Sequence, residues 1–164
     1  MIDARRRDMG PVDTTPLFDM VADLGPRFDV GRGPLGRRVL DRVREGWFEG
    51  PRLRGEVLPG SGDWALFRAD GVMVVDARAI LRTDDGALIS MTYLGRAVVP
   101  EDVRAHMADV DTRHEVDPDQ YYFRATPLFE TGSSRYDWLN NIVAIAKGYL
   151  VENGGVGYQV SAVL

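Results

Sequence analysis

Cysteine is absent from the 164 residues. That excludes disulfides, thiolate nucleophiles and cysteine-based metal sites. Lysine is almost absent, since Lys147 is the one lysine among 20 basic residues. Histidine occurs twice, as His106 and His114. No basic surplus exists: 20 Lys+Arg against 25 Asp+Glu leave a net charge of −5, so nucleic acid is not an expected partner. No apolar run approaches the ~20 residues of a membrane helix, and no membrane association is expected. The start, Met1 to Gly10, is polar and carries Arg5-Arg6-Arg7. A secretory signal is therefore not expected, and the cytoplasm is the expected compartment. Arg5-Arg6-Arg7 itself reads as a solvated tail. Internal repeats and low-complexity linkers are also missing.

What remains is an ordinary globular composition, 45% hydrophobic and 27% charged, in a chain of one-domain length. Glycine and proline are plentiful, at 18 and 9, and their placement is informative. Asp70-Gly71, Asp85-Gly86 and Asn153-Gly154 each separate two apolar, β-prone runs. Such steps accept positive φ cheaply, as tight hairpins require. Three of them predict an antiparallel meander. The run Val72–Arg82, VMVVDARAILR, would extend roughly 36 Å at ~3.3 Å per residue, a length suited to a strand coiling around a barrel. Leu17–Ala22, Leu53–Leu58 and Tyr121–Leu128 are further strands. Arg37–Arg44 fits either a helix or an alternating strand. One helix is expected after Pro100, with Glu101 and Asp102 in its first turn and Val103, Met107 and Val110 on one stripe. The fold class is all-β, mainly antiparallel: one closed or nearly closed barrel of about eight to ten strands with one short helix. Residues 1–15 read as a flexible arm and 16–164 as the barrel domain.

Several apparent motifs carry no chemistry. Gly31-Arg32-Gly33-Pro34-Leu35-Gly36 matches G-x-G-x-x-G but lacks the βαβ context that makes it a dinucleotide fingerprint; it reads as a turn. His106 and His114 lack metal-ligand spacing, so no metal is expected. Ser61, in Pro59-Gly60-Ser61-Gly62, is not a nucleophile elbow.

Chemistry in a barrel sits on polar residues that point into its lumen. On Val72–Arg82 one face holds Val72, Val74, Asp76, Arg78, Ile80 and Arg82; the other is Met73, Val75, Ala77, Ala79 and Leu81. Strand alternation by itself turns the all-apolar face inward and leaves Asp76 and Arg78 as a solvent-facing ion pair. The functional reading inverts this. A second strand places Tyr122, Arg124 and Thr126 together, followed by Glu130 and by Tyr136-Asp137-Trp138-Leu139-Asn140. These aromatics interleaved with charges fit the mouth of a ligand cavity and fit a core girdle equally well.

Linked stretches now resemble a known family. Gly50-Pro51-Arg52-Leu53-Arg54-Gly55 with Pro59-Gly60 and Asp63-Trp64, the Arg68-Ala69-Asp70-Gly71 turn, and Val75-Asp76-Ala77-Arg78 followed by Thr83-Asp84-Asp85-Gly86-Ala87-Leu88-Ile89 are similar to its successive motifs. So are Tyr122-Phe123-Arg124, Pro127-Leu128-Phe129-Glu130-Thr131 and Tyr136-Asp137-Trp138-Leu139-Asn140. The family is the one numbered 3237 among domains of unknown function, and the resemblance runs from about Leu17 to the C-terminus. It implies a calycin- or lipocalin-like β-barrel, in members mostly uncharacterised, with some relatives tied to cyclisation or addition steps in secondary metabolism without a redox cofactor. Ala79 departs from the family's usual Tyr and Ser61 from its usual Gly. Charged residues within the family motifs favour the inward orientation of Asp76 and Arg78.

The reading that follows is a cofactor-independent small-molecule enzyme acting on a hydrophobic, oxygenated ligand by proton transfer, as an isomerase, a cyclase or a catalyst of addition to a conjugated carbonyl. Asp76 is the expected general base. Arg78 and Arg124 would hold a developing oxyanion, Tyr122 would relay a proton, and Glu130 would orient an arginine. Asp63, Trp64, Arg68, Trp138 and Asn140 are the expected ligand-binding residues. No cofactor is expected. The alternatives are a lipocalin-like carrier using the same cavity without turnover, and a subunit whose apolar strand face makes a homo-oligomer.

Overall fold

The computed structural model describes residues 3–164. The elements run β1 (Thr14–Leu24), β2 (Phe28–Gly33), β3 (Gly36–Glu49), β4 (Arg54–Val57), β5 (Gly62–Asp63), β6 (Leu66–Phe67), β7 (Met73–Thr83), β8 (Leu88–Val98), α1 (Glu101–Ala108), β9 (Tyr122–Glu130), β10 (Ala144–Leu150) and β11 (Val156–Val163). All pairings among these strands are antiparallel, in the order β1-β11-β10-β9-β8-β7-β4-β3-β2, and β1 also pairs with β3. That last pairing closes eight strands into a barrel. The strand β2 extends β3 as a hairpin, and β5 and β6 fill the gap between β3 and β7 beyond the short β4.

The expected hairpins are where the Asp-Gly and Asn-Gly steps stand. Gly71, Gly86 and Gly154 take φ of 84°, 88° and 77°, and Asn153 takes 58°, the left-handed region that glycine and asparagine enter at least cost. Gly31–Gly36 is the β2–β3 turn. Arg37–Arg44 lies within β3, with Val39 and Asp41 buried and Arg38 and Arg42 on the other face. Strand alternation is therefore the correct period there. β1 begins at Thr14, slightly inside the span assigned to the arm. Gly50 lies where two strands almost touch: a Cβ there would stand 1.8 Å from the Leu17 carbonyl oxygen.

The barrel interior alternates small and large residues, as a tapered lumen requires. Ala77, Ala79, Ala125, Ala144 and Ala146 face Phe18, Phe48, Phe123, Phe129, Tyr93 and Tyr158. The Phe18 ring meets Phe48 and Phe129 edge-on at 5.5 and 6.0 Å, a geometry aromatic pairs prefer. The helix α1 buries no residue fully and stops at Ala108, short of the expected Val110. Only Met107 of its stripe and the more distant Val116 reach the core's edge. No helix among the described residues is long and apolar enough to cross a membrane.

Candidate functional site

Strand register decides which side chains can meet. In β7 the buried residues are Val75, Ala77, Ala79, Leu81 and, at its end, Thr83, while Arg78, Ile80 and Arg82 are exposed. The expected inward orientation of Asp76 and Arg78 is thus reversed. An all-apolar small face fills the lumen with no desolvation cost, whereas burying that ion pair would have cost several kcal/mol per ion. The two side chains pair on the outer surface, Arg78 Nη1 donating to Asp76 Oδ1 at 3.0 Å, and Arg78 stands over the Trp64 ring.

The other expected site residues do not gather in the lumen either. Tyr122 is exposed on the outer face of β9, with the Arg124 guanidinium 5.2 Å from its ring centroid. Glu130 is also outward. Arg68 pairs with Asp70 at the β6–β7 turn. Trp138 is covered by Arg52 at 3.7 Å. Asn140 holds both polar groups of the Thr131 backbone, accepting from its N–H at 2.8 Å and donating to its carbonyl at 3.0 Å. Ser61 ties Leu58 to Ile80 through its hydroxyl. These are structural fasteners.

One expected residue, Asp63, does lie in a chemically active setting. Register puts Asp41 of β3 opposite Asp63 of β5, Asp63 opposite Ala77 of β7, and Ala77 opposite Tyr93 of β8. Ala77 is only a methyl group, so the carboxylate and the phenol approach across it. The Tyr93 and Tyr158 rings stand edge to face with centroids 5.4 Å apart. Burial holds the Tyr93 and Tyr158 hydroxyls above the usual phenol range, and the Asp63 charge adds to it. Burial also pushes the Asp63 carboxyl up to about 6, with repulsion from Asp41 and Asp76 adding and the Asp76 N–H, donating to Oδ1 at 2.8 Å, opposing.

The positive charge nearby is held elsewhere. Arg27 engages Asp41 through two bonds, Nε to Oδ1 at 2.6 Å and Nη2 to Oδ2 at 2.8 Å. Arg113, in a 3-10 turn between α1 and β9, donates Nη2 to the Gly154 carbonyl at 3.0 Å. Its Nε is buried with no hydrogen-bond partner among the described residues, as is His114 Nδ1. Desolvation and the Arg27 charge hold the Arg113 guanidinium below its usual range, against the pull of Asp41. A half-buried carboxyl pushed up to about 6 near two buried phenols is a feature that proton-transfer sites share.

Sequence reasoning reached Asp63 and missed Asp41, Tyr93, Tyr158, Arg27 and Arg113. For Asp41 a signal existed: an acid at the inward step of Val39-Asp41-Val43. For Arg113 none did, because its segment has no period.

Comparison with known proteins gives the following. The family model described as Protein of unknown function (DUF3237) matches residues 12–163. A UPF0311 protein of Clostridium acetobutylicum is 38% identical over 120 residues, 73% of this chain and 74% of that protein. The crystal structure of a conserved protein of unknown function from Rhodopseudomonas palustris superposes with a TM-score of 0.87 at 26% identity, over 95% of this chain and 100% of that one. The hydroalkoxylation enzyme phnH of Penicillium herquei is 27% identical over 128 residues, 78% of this chain and 68% of that protein.

Proposed function

Because the chain belongs to the DUF3237 family, whose barrel is consistent with a small-molecule enzyme or binder, we propose that it is a cofactor-independent enzyme adding an oxygen nucleophile across a conjugated double bond, with Asp63 as its proton-transfer group. The relative named as a hydroalkoxylation enzyme supports the reaction class. The observation that carries the residue assignment is the placement of the Asp63 carboxyl, raised to about 6, against the Tyr93–Tyr158 pair.

The chemistry balances without electron transfer. The substrate hydroxyl gives its proton to the Asp63 carboxylate as its oxygen bonds the β-carbon of a conjugated carbonyl. The π electrons move to the carbonyl oxygen, giving an enolate. The protonated Asp63 then returns its proton to the α-carbon. One O–H and one C=C are consumed, and one C–O and one C–H are formed. A carboxyl near 6 suits this shuttle, because it is mostly ionised at neutral pH yet basic enough to accept a proton.

The test is a panel of hydroxylated aryl enones incubated with protein and followed by mass-neutral product formation. Turnover is expected, with the rate rising through an apparent pKa near 6, and Asp63→Asn is expected to lower it by about 10²–10⁴-fold. Turnover that survives Asp63→Asn overturns the residue assignment. Ligand that binds and returns unchanged identifies a carrier.

A further inference from the structure

The outer face of β7, β8, β9 and the start of β10 is unusually apolar for a surface. Ile80, Leu94, Leu128, Val143 and Ile145 are each 38–55% exposed there. At one end a groove of ≈ 560 Å³ is lined by Leu94, Arg96, Tyr122, Arg124, Ile145 and Lys147. Register sets Arg96, Arg124 and Lys147 directly side by side on adjacent strands, an arrangement that like charges disfavour. Lys147 has Asp119 at 2.6 Å. Arg96 and Arg124 donate to the carbonyls of Gly95 and Phe123 on their own strands, and neither has a carboxylate partner among the described residues. At the opposite end of β9, Glu130 is exposed and has no ion-pair partner among the described residues.

We propose that this face binds a second copy of the chain through a two-fold axis lying across the strands at the Ala77–Tyr93–Pro127 row. The pattern of side chains about that row is self-complementary. One step to either side are Asp76–Leu94–Thr126 and Arg78–Thr92–Leu128; three steps away are Val74–Arg96–Arg124 and Ile80–Ser90–Glu130. A two-fold there lays each row over its opposite. Asp76 meets Arg78 of the second copy, Leu128 meets Thr126, and Glu130 enters the groove beside Arg124. An isologous interface needs this self-complementarity, and sheets pack face to face at about 10 Å with a small angle set by their twist. The face carries Arg78, Arg96, Arg124 and Tyr122, residue types enriched at interfaces. Four strands at ~4.8 Å and a strand length of ~30 Å give roughly 600 Å² per copy, the small end of specific interfaces. Dimerisation is therefore expected in the micromolar range. The four charged residues expected in the lumen (Asp76, Arg78, Arg124 and Glu130) find their role here.

Light scattering and sedimentation over a concentration series test the proposal. The wild-type protein is expected to reach twice the 18.2 kDa chain mass at tens of micromolar. Arg124→Glu and Glu130→Arg are each expected to weaken the dimer by about tenfold or more, and the double exchange to restore it. Circular dichroism of each variant verifies that the barrel persists, which exposed positions should ensure. A wild-type monomer at those concentrations, a closed trimer, single variants that dimerise normally, or a double variant that stays dissociated each overturns the two-fold arrangement.

Discussion

Replacing Asp63 by Asn should make the protein more stable, by an amount that grows from about pH 4 and levels off above about pH 6. The folded-state carboxyl has been raised from 3.8 to about 6 by burial first and by Asp41 and Asp76 second. A carboxyl raised in this way stabilises the fold only while it is protonated. Its contribution is whole below the unfolded value of 3.8 and is lost as pH rises through about 6. The full difference corresponds to about 3 kcal/mol at ~1.4 kcal/mol per pH unit. Asp63 keeps partial contact with solvent, so about 2 kcal/mol is the expected wild-type deficit at pH 8. Asparagine removes the charge, keeps the shape and still accepts the Asp76 N–H. At ~2–4 °C per kcal/mol for a chain of this size, Asp63→Asn should melt roughly 4–8 °C higher than wild type at pH 8 and at the same temperature at pH 4. Thermal denaturation followed by tryptophan fluorescence at the two pH values gives the comparison, and other titrating groups cancel between the proteins. Equal differences at both pH values, or a variant less stable at pH 8, would refute the placement of Asp63 in a desolvated, repulsive site. A gain in stability joined to a loss of turnover is the signature of a site that stores strain for chemistry.

Two further substitutions test the rest of the site. Tyr93→Phe or Tyr158→Phe removes one of two neighbouring buried hydroxyls and should cost about 1–3 kcal/mol in urea denaturation, while the double Phe variant should recover part of that loss; additive losses would mean that the two hydroxyls do not pair. Asn140→Ala removes both bonds to the Thr131 backbone and should lower stability by about 2–3 kcal/mol without changing KM, whereas a raised KM at unchanged stability would return Asn140 to the ligand-binding set.

Turn chemistry and strand period made the scaffold readable. Asp85-Gly86 and Asn153-Gly154 each demand a positive φ that few other pairs supply, so the hairpins announce themselves locally. Closure of the barrel through β1 and β3 does not: it depends on Asp19 meeting Glu49 and Leu24 meeting Val43, contacts that no local pattern encodes. The helix ends before Val110, although the stripe Val103-Met107-Val110 has the helical period, because Asp109 is extended, with ψ of 116°.

The site misled for a different reason. Strand alternation argued correctly that Asp76 and Arg78 face water, and recurring charges in the family-like motifs argued the opposite. Charges recur on outward positions when a second surface must recognise them, so recurrence alone does not separate a lumen from an interface. The separating quantity is what stands on the opposite face. Behind Asp76 and Arg78 stand Val75, Ala77 and Ala79, which are buried in the core cluster, and an ion pair cannot displace them without leaving both faces worse off. Behind Asp41 stand the exposed Arg42 and half-buried Leu40, so its inward turn costs no apolar burial, and Arg27 compensates the charge at 2.6 Å. A buried acid is therefore to be sought where the alternate face has nothing better to offer the core and an arginine can reach it from a neighbouring segment, as Arg27 does from the β1–β2 loop. By that criterion β3 and β5, rather than β7, were the strands on which to look for the chemistry.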